Sequence, residues 1–166
     1  MLKINTTPII EDLPIWEVEY INLPDDYFIK GLKYQEIDFN RQFYIWGDEI
    51  GDKIINNLQL ENIKDELINH DVLNLESMVI MVRDKPTYSL TPHYDNNRVY
   101  GVIIINTTDN NNSTVFYNDN DEVIYTNSSK KGKGIFFLNT PKTKHSYIND
   151  SSENRYAVIC TLHHKS

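Results

Sequence analysis

The stretch "RVYGVIIINTT", Arg98 to Thr108, decides how the chain folds. From Val99 to Ile105 it is almost unbroken in apolar and β-branched residues, with no polar position alternating between them. β-Branched side chains suit the pleated surface of a strand, and a strand apolar on both sides must be covered on both faces. The stretch is therefore predicted to be a central strand. Its surroundings repeat the theme: "ESMVIMVRD", "YSLTPHYD", "STVFYND", "EVIYTN", "GIFFLNT", "KHSYIND" and "RYAVICTLH" are short runs of the same kind, separated by clusters of Asn, Asp, Ser, Gly and Pro. Strands at this spacing predict an antiparallel barrel or jelly-roll sandwich from Leu75 onward.

Upstream the signals are mixed. "IWEVEYINL" (Ile15 to Leu23) reads as a strand and "LPDDY" as a turn. Gly47 to His70 reads as one or two amphipathic helices, with Ile50, Ile54, Ile55 and Leu58 at helical spacing and Ile63, Leu67 and Ile68 resuming it after a break near Asn62. The aromatic-rich segment from Tyr27 to Trp46 is read as cover for the helix and sheet edges of one core. The expectation is one domain over 1–166, mainly β with N-terminal helices: 1–74 as strand and supporting helices, 75–166 as the β core.

A length of 166 residues, 40% hydrophobic and 24% charged, is that of a globular chain able to bury a core. The net charge of −8 argues against binding nucleic acid or an anionic membrane surface, both of which need clustered basic residues. No segment has the ~20 consecutive apolar residues of a membrane-spanning helix, and the N-terminus lacks a signal-like apolar run. A cytoplasmic location is the expectation. Cys160, the sole cysteine, lies in the apolar run "YAVICTL" and reads as a small core residue.

Chemistry concentrates on two of the five histidines. His70 closes the helical segment, where the helix dipole favours a cation, and His163 and His164 read as exposed tail residues. His93 and Asp95 lie one residue apart in an extended segment, so their side chains project to the same side. His145 begins a later strand and is expected to face them across the sheets. Two imidazoles and a carboxylate cap one face of a metal and leave other positions open, an arrangement that suits non-haem iron(II). The pair taken alone is weak evidence for a metal, since such pairs arise by chance in many proteins and also suit a polar sheet edge. Arg155 opens the apolar strand "RYAVICTL", where a guanidinium needs an anionic partner: an acidic side chain, or a small dicarboxylate held by its planar fork.

In order and spacing, His93-x-Asp95, His145 and Arg155 resemble the 2-oxoglutarate- and iron(II)-dependent oxygenases over roughly Leu75 to His164. "HYDNN" and "RYAV" look most like the prolyl-hydroxylase-type branch, and "GKGIFFLNTPKTKHSY" follows the family pattern before the second histidine. The resemblance implies a double-stranded β-helix of jelly-roll or cupin-like form. It implies Fe(II) held by His93, Asp95 and His145, and 2-oxoglutarate held at its far carboxylate by Arg155, with Tyr88 as a second donor. It also implies O2 as oxidant and hydroxylation of a C–H bond in a peptide, prolyl side chains included, or in a small molecule. Two departures are visible: Ile104 stands where prolyl-branch relatives often carry a tyrosine, and "DNNNSTVFY" replaces their Gly-Gly-Glu-like segment. The competing readings are a non-catalytic jelly-roll binding module with a structural metal and a cupin-like metalloenzyme of different chemistry.

Overall fold

Val99–Asn106 is a strand with both sides covered, as its composition demands: Ile103 and Ile105 enter one apolar cluster, Val102 and Ile104 the other. The computed structural model describes residues 1–36, 40–58, 75–110, 113–128 and 130–165. In chain order the elements are β1 (Leu2–Ile4), β2 (Ile15–Tyr20), α1 (Asp26–Lys30), β3 (Tyr34–Glu36), β4 (Arg41–Tyr44), α2 (Glu49–Asn56), β5 (Leu75–Asp84), β6 (Ser89–His93), β7 (Val99–Asn106), β8 (Thr114–Tyr117), β9 (Val123–Thr126), β10 (Lys133–Leu138), β11 (Lys144–Ile148) and β12 (Arg155–His164).

The strands form two antiparallel sheets, an eight-stranded one in the order β1-β2-β10-β7-β12-β5-β4-β3 and a four-stranded one in the order β6-β11-β8-β9. From β5 onward the chain passes back and forth between them, an order that fits a jelly roll. The small sheet packs on one face of the large sheet through Phe116, Phe137, Val102, Ile104 and Ile135, with Phe116 edge-on to Phe137 at 5.1 Å between ring centroids. The opposite face carries the larger cluster, where Ile29, Leu32, Ile54 and Leu58 from around the two helices cover Ile103, Ile105, Phe136 and Val158. Cys160 is fully buried in that cluster, as read from its apolar surroundings.

Some local readings change. α1 begins inside the "LPDDY" segment read as a turn; Asp25 and Asp26 sit at its positive N-terminal end, and buried Ile29 anchors it. α2 occupies Glu49–Asn56, while 59–74, with His70 and the expected break near Asn62, lie outside the described residues. The aromatic-rich segment does more than cover edges: β3 and β4 pair there, and β4 pairs with β5, extending the large sheet. The turn before β10 needs Gly132, whose φ is +76° and whose added Cβ would stand 2.9 Å from the Tyr20 carbonyl oxygen. No helix among the described residues is long and apolar enough to cross a membrane.

Candidate metal centre and arginine row

The gap between the sheets has two polar ends, set by where the chain crosses from sheet to sheet. At one end β6 runs out at His93, the crossing to β7 carries Asp95, and β11 enters with His145. His93 and His145 are not on facing sheets, as expected from sequence, but directly opposite on neighbouring strands of the small sheet. Cross-strand partners stand side by side on one face, which brings the two rings to 4.5 Å between centroids. A ligand atom from each of His93, Asp95 and His145 lies within 4.8 Å of the others.

The hydrogen bonds around these groups fix their chemistry. His93 Nδ1 donates to the Thr91 carbonyl at 2.7 Å and His145 Nδ1 to the Thr143 carbonyl at 3.0 Å. With Nδ1 bearing the proton, a neutral imidazole keeps its lone pair at Nε2, the form that binds metals. Both Nε2 atoms then face Asp95, His93 Nε2 at 3.9 Å from Oδ1 and His145 Nε2 at 3.7 Å from Oδ2. Burial, the largest influence, together with the adjacent His93, holds His145 below the ordinary imidazole pKa, although the Thr143 carbonyl and Asp95 pull the other way. Asp95 Oδ2 is buried with no hydrogen-bond partner among the described residues. The Asn139 side-chain amide pins the crossing loop, donating to the carbonyls of Asp95, Asn96 and Val99 at 3.1–3.2 Å. A cleft of about 350 Å³ opens beside Asp95, lined by Tyr94, Asn97, Asn139, Thr140 and Pro141.

At the other end, three neighbouring strands place Arg155, Asp84 and Arg41 in one row, since Arg155 and Arg41 are the register partners of Asp84 from opposite sides. Asp84 is fully buried and Arg155 nearly so. Arg41 grips Asp84 through both carboxylate oxygens, at 2.6 and 2.9 Å, while Arg155 reaches one oxygen at 3.2 Å. Burial works to lower the Arg41 pKa, but the hydrogen bonds and charge of Asp84 outweigh it and raise the net value. Each guanidinium lies over a tyrosine: Arg41 over Tyr88 at 4.3 Å and Arg155 over Tyr147 at 4.0 Å. The Asn149 amide clamps this end, donating to the carbonyls of Asp84, Lys85 and Glu153 at 3.0 Å.

This row carries more positive than negative charge, and its polar atoms are incompletely satisfied. Arg155 Nε, the Tyr147 hydroxyl, Thr114 Oγ1 and Asn106 Oδ1 are all buried without a hydrogen-bond partner of ordinary geometry among the described residues. Thr114 is the register partner of Tyr147, and Asn106 that of Ala157, two residues along from Arg155 on the same face. Burial, the dominant effect, raises the Tyr147 pKa although the neighbouring Arg155 draws it down.

The structure thus gathers His93, Asp95 and His145 at one end and Arg155 with Tyr88 at the other. The acidic partner that sequence reasoning allowed for Arg155 exists, and it is Asp84. Tyr147 rather than Tyr88 lies beneath Arg155. Its position two residues after His145, hence on the same strand face, was the signal available for it. Arg41 and Asp84 went unnoticed because only the pairing of β4 with β5 joins them. His163 and His164 are not a tail: both belong to β12, where Thr161 Oγ1 lies 2.7 Å from His163 Nε2 and the His164 ring meets Tyr100 edge-on.

No protein-family model matches the sequence, and no curated protein matches it. The fold is nonetheless similar to solved structures of 2-oxoglutarate–Fe(II) oxygenases and prolyl hydroxylases. A prolyl 4-hydroxylase from Pseudomonas putida matches with a TM-score of 0.65 at 9% identity, over 93% of this chain and 95% of that one. The viral collagen prolyl hydroxylase of Paramecium bursaria Chlorella virus-1, in its 2-oxoglutarate complex, matches with a TM-score of 0.63 at 16% identity, over 95% and 99%. An oxidoreductase of the 2-oxoglutarate–Fe(II) oxygenase family from Burkholderia pseudomallei matches with a TM-score of 0.61 at 12% identity, over 83% and 75%. At these identities the likeness is one of fold.

Proposed function

We propose that the protein is a 2-oxoglutarate- and Fe(II)-dependent dioxygenase that hydroxylates a C–H bond of a peptidyl substrate, prolyl side chains included, or of a small molecule. The observation that carries this reading is the Asp95 carboxylate, with a buried Oδ2 that has no hydrogen-bond partner among the described residues, facing one imidazole Nε2 with each oxygen. Lone pairs converging from three sides repel one another, and a cation among them turns that repulsion into binding. The donor set fits ferrous iron: two nitrogens and a carboxylate on one side, with His93 partly exposed toward solvent. In this reading the two sheets are the halves of a double-stranded β-helix barrel, and 1–166 is one catalytic domain. A reducing cytoplasm would keep the iron ferrous and Cys160 a thiol.

When bound, Fe(II) would couple the reduction of O2 and the decarboxylation of 2-oxoglutarate, releasing succinate and CO2, to oxidation of the substrate C–H bond. The chain's own part is to hold and orient. The Thr91 and Thr143 carbonyls keep Nδ1 protonated and Nε2 open on each histidine. Phe116 and Phe137, against the His145 ring, keep water from that side. His145 and Tyr147 share a strand face about 6–7 Å apart along β11, so an ion at one and Arg155 beside the other suit the two ends of a short dicarboxylate. Arg155 would pair with the far carboxylate, and the Tyr147 and Thr114 hydroxyls, which have no hydrogen bond of ordinary geometry among the described residues, would donate to it. Tyr88 contributes through its stack with Arg41. The cleft beside Asp95 is where a substrate would approach.

Anaerobic addition of Fe(II) and 2-oxoglutarate is expected to give a weak visible charge-transfer band that His145→Ala abolishes. Turnover of labelled 2-oxoglutarate against peptide, amino-acid and nucleotide pools would then identify the substrate class. Absence of both the band and succinate formation would overturn the proposal.

A further inference from the structure

Asp84 stands between two guanidiniums, and it is not shared evenly. Arg41 occupies both of its oxygens at 2.6 and 2.9 Å; Arg155 has one contact of 3.2 Å with Asp84 through a terminal nitrogen, and its Nε has no hydrogen bond of ordinary geometry among the described residues. Fork-to-fork pairing is the stronger geometry for a carboxylate and a guanidinium; Asp84 and Arg155 are buried and Arg41 is partly so. If Arg41 were absent, Asp84 would be free to make that pairing with Arg155. The charge of the row would fall from one excess cation to none. The stacks on Tyr88 and Tyr147, whose rings lie 6.3 Å apart, fix the plane of each guanidinium and so hold the unequal division in place.

We infer that Arg41 is a positioning residue for the co-substrate: by holding Asp84 through both oxygens it leaves the outer edge of Arg155 open to the far carboxylate of 2-oxoglutarate. The inference rests on the 2-oxoglutarate reading above. Arg41 lies on β4, outside the eight strands from β5 to β12, so the N-terminal third of the chain sets the affinity of a site built by the rest.

The test uses full-length protein loaded with Mn(II), which binds like Fe(II) without turnover, and measures 2-oxoglutarate binding by titration calorimetry. Arg41→Met is expected to weaken 2-oxoglutarate by about tenfold or more, the size of one charge-assisted hydrogen bond. It should leave Mn(II) affinity unchanged, as well as the affinity of 2-oxobutanoate, which lacks the far carboxylate. Arg41→Met with Asp84→Asn keeps the net charge of the row and removes the competitor for Arg155, so it should recover most of the loss. Wild-type 2-oxoglutarate affinity in Arg41→Met, an equal loss for 2-oxobutanoate, or no recovery in the double variant would each overturn the inference. Should those variants fail to fold, Arg41→Lys decides: it cannot grip both oxygens in the guanidinium's fork, and a loss of about threefold is expected, while unchanged affinity overturns the inference. A wild type that takes Mn(II) but no 2-oxoglutarate would overturn the oxygenase reading itself.

Discussion

The two polar ends of the inter-sheet gap are built in opposite senses. At the His93 end, three electron-rich groups converge and none satisfies another, which suits that end to a cation. At the Arg155 end, opposite charges are already joined by hydrogen bonds, and the surplus is one positive charge. On the proposed reading, the first is a site held in readiness at some expense to stability, and the second is a structural joint with binding capacity to spare.

The contrast is sharpest when one carboxylate is removed at each end. Asp84→Ala strands two guanidiniums in the interior and is expected to destabilise the fold by about 3–5 kcal/mol, read from chemical denaturation. Asp95→Ala should lower the affinity for Fe(II) or Mn(II) by more than about 100-fold, beyond the loss usual for a supporting partner. Metal-free Asp95→Ala should nevertheless stay within about 0.5 kcal/mol of wild type or exceed it, because its buried oxygen has no partner to lose. Equal destabilisation by the two substitutions would break the contrast.

Two smaller effects refine it. Tyr147→Phe removes a buried hydroxyl whose contact with Arg155 falls short of ordinary hydrogen-bond geometry, so stability should change little, while 2-oxoglutarate should bind several-fold more weakly, by about the 0.5–1.5 kcal/mol of an ordinary hydrogen bond. A fall in stability with unchanged binding would mean that the hydroxyl serves the fold alone. The pH dependence of the metal-free protein tests the other end. His145 titrates below its unfolded value of 6.5, so between the two values the unfolded chain carries more protons, and stability increases with pH. This contribution is full above the unfolded value and is lost as pH falls from there through the folded value. His145→Gln should flatten the rise of stability with pH at and below that unfolded value, read from chemical denaturation at a series of pH values; an unchanged slope would mean that His145 is not held neutral.

The same contrast explains what could be read in the sequence. The strands from Leu75 onward were legible because each is a short run bounded by turn residues, and β7 announced its central place by lacking a polar side. His93, Asp95 and His145 stood out as candidates because the first two lie one residue apart and the third opens a later run; the structure brings them together, although Asp95 sits on the crossing loop and not on a strand. The arginine row was only half legible. Arg155 stood out against its apolar run, but Asp84 read as the polar end of "ESMVIMVRD", and Arg41 was lost among aromatics. Their meeting depends on the register of β4, β5 and β12, which no periodicity within a single segment encodes. β3 and β4 were missed for a related reason: three- and four-residue strands hold no pattern long enough to show a period.

Asn139 and Asn149 do the same thing at opposite ends: two amide hydrogens serve three backbone carbonyls, one of them necessarily shared. Deamidation exchanges that amide for a carboxylate of nearly the same shape. The product would set a negative oxygen against three carbonyl oxygens and release the loop that bears Asp95, or the strand end that bears Asp84. Chemical ageing at either asparagine would therefore loosen the proposed centre while leaving intact every residue proposed to touch iron or co-substrate.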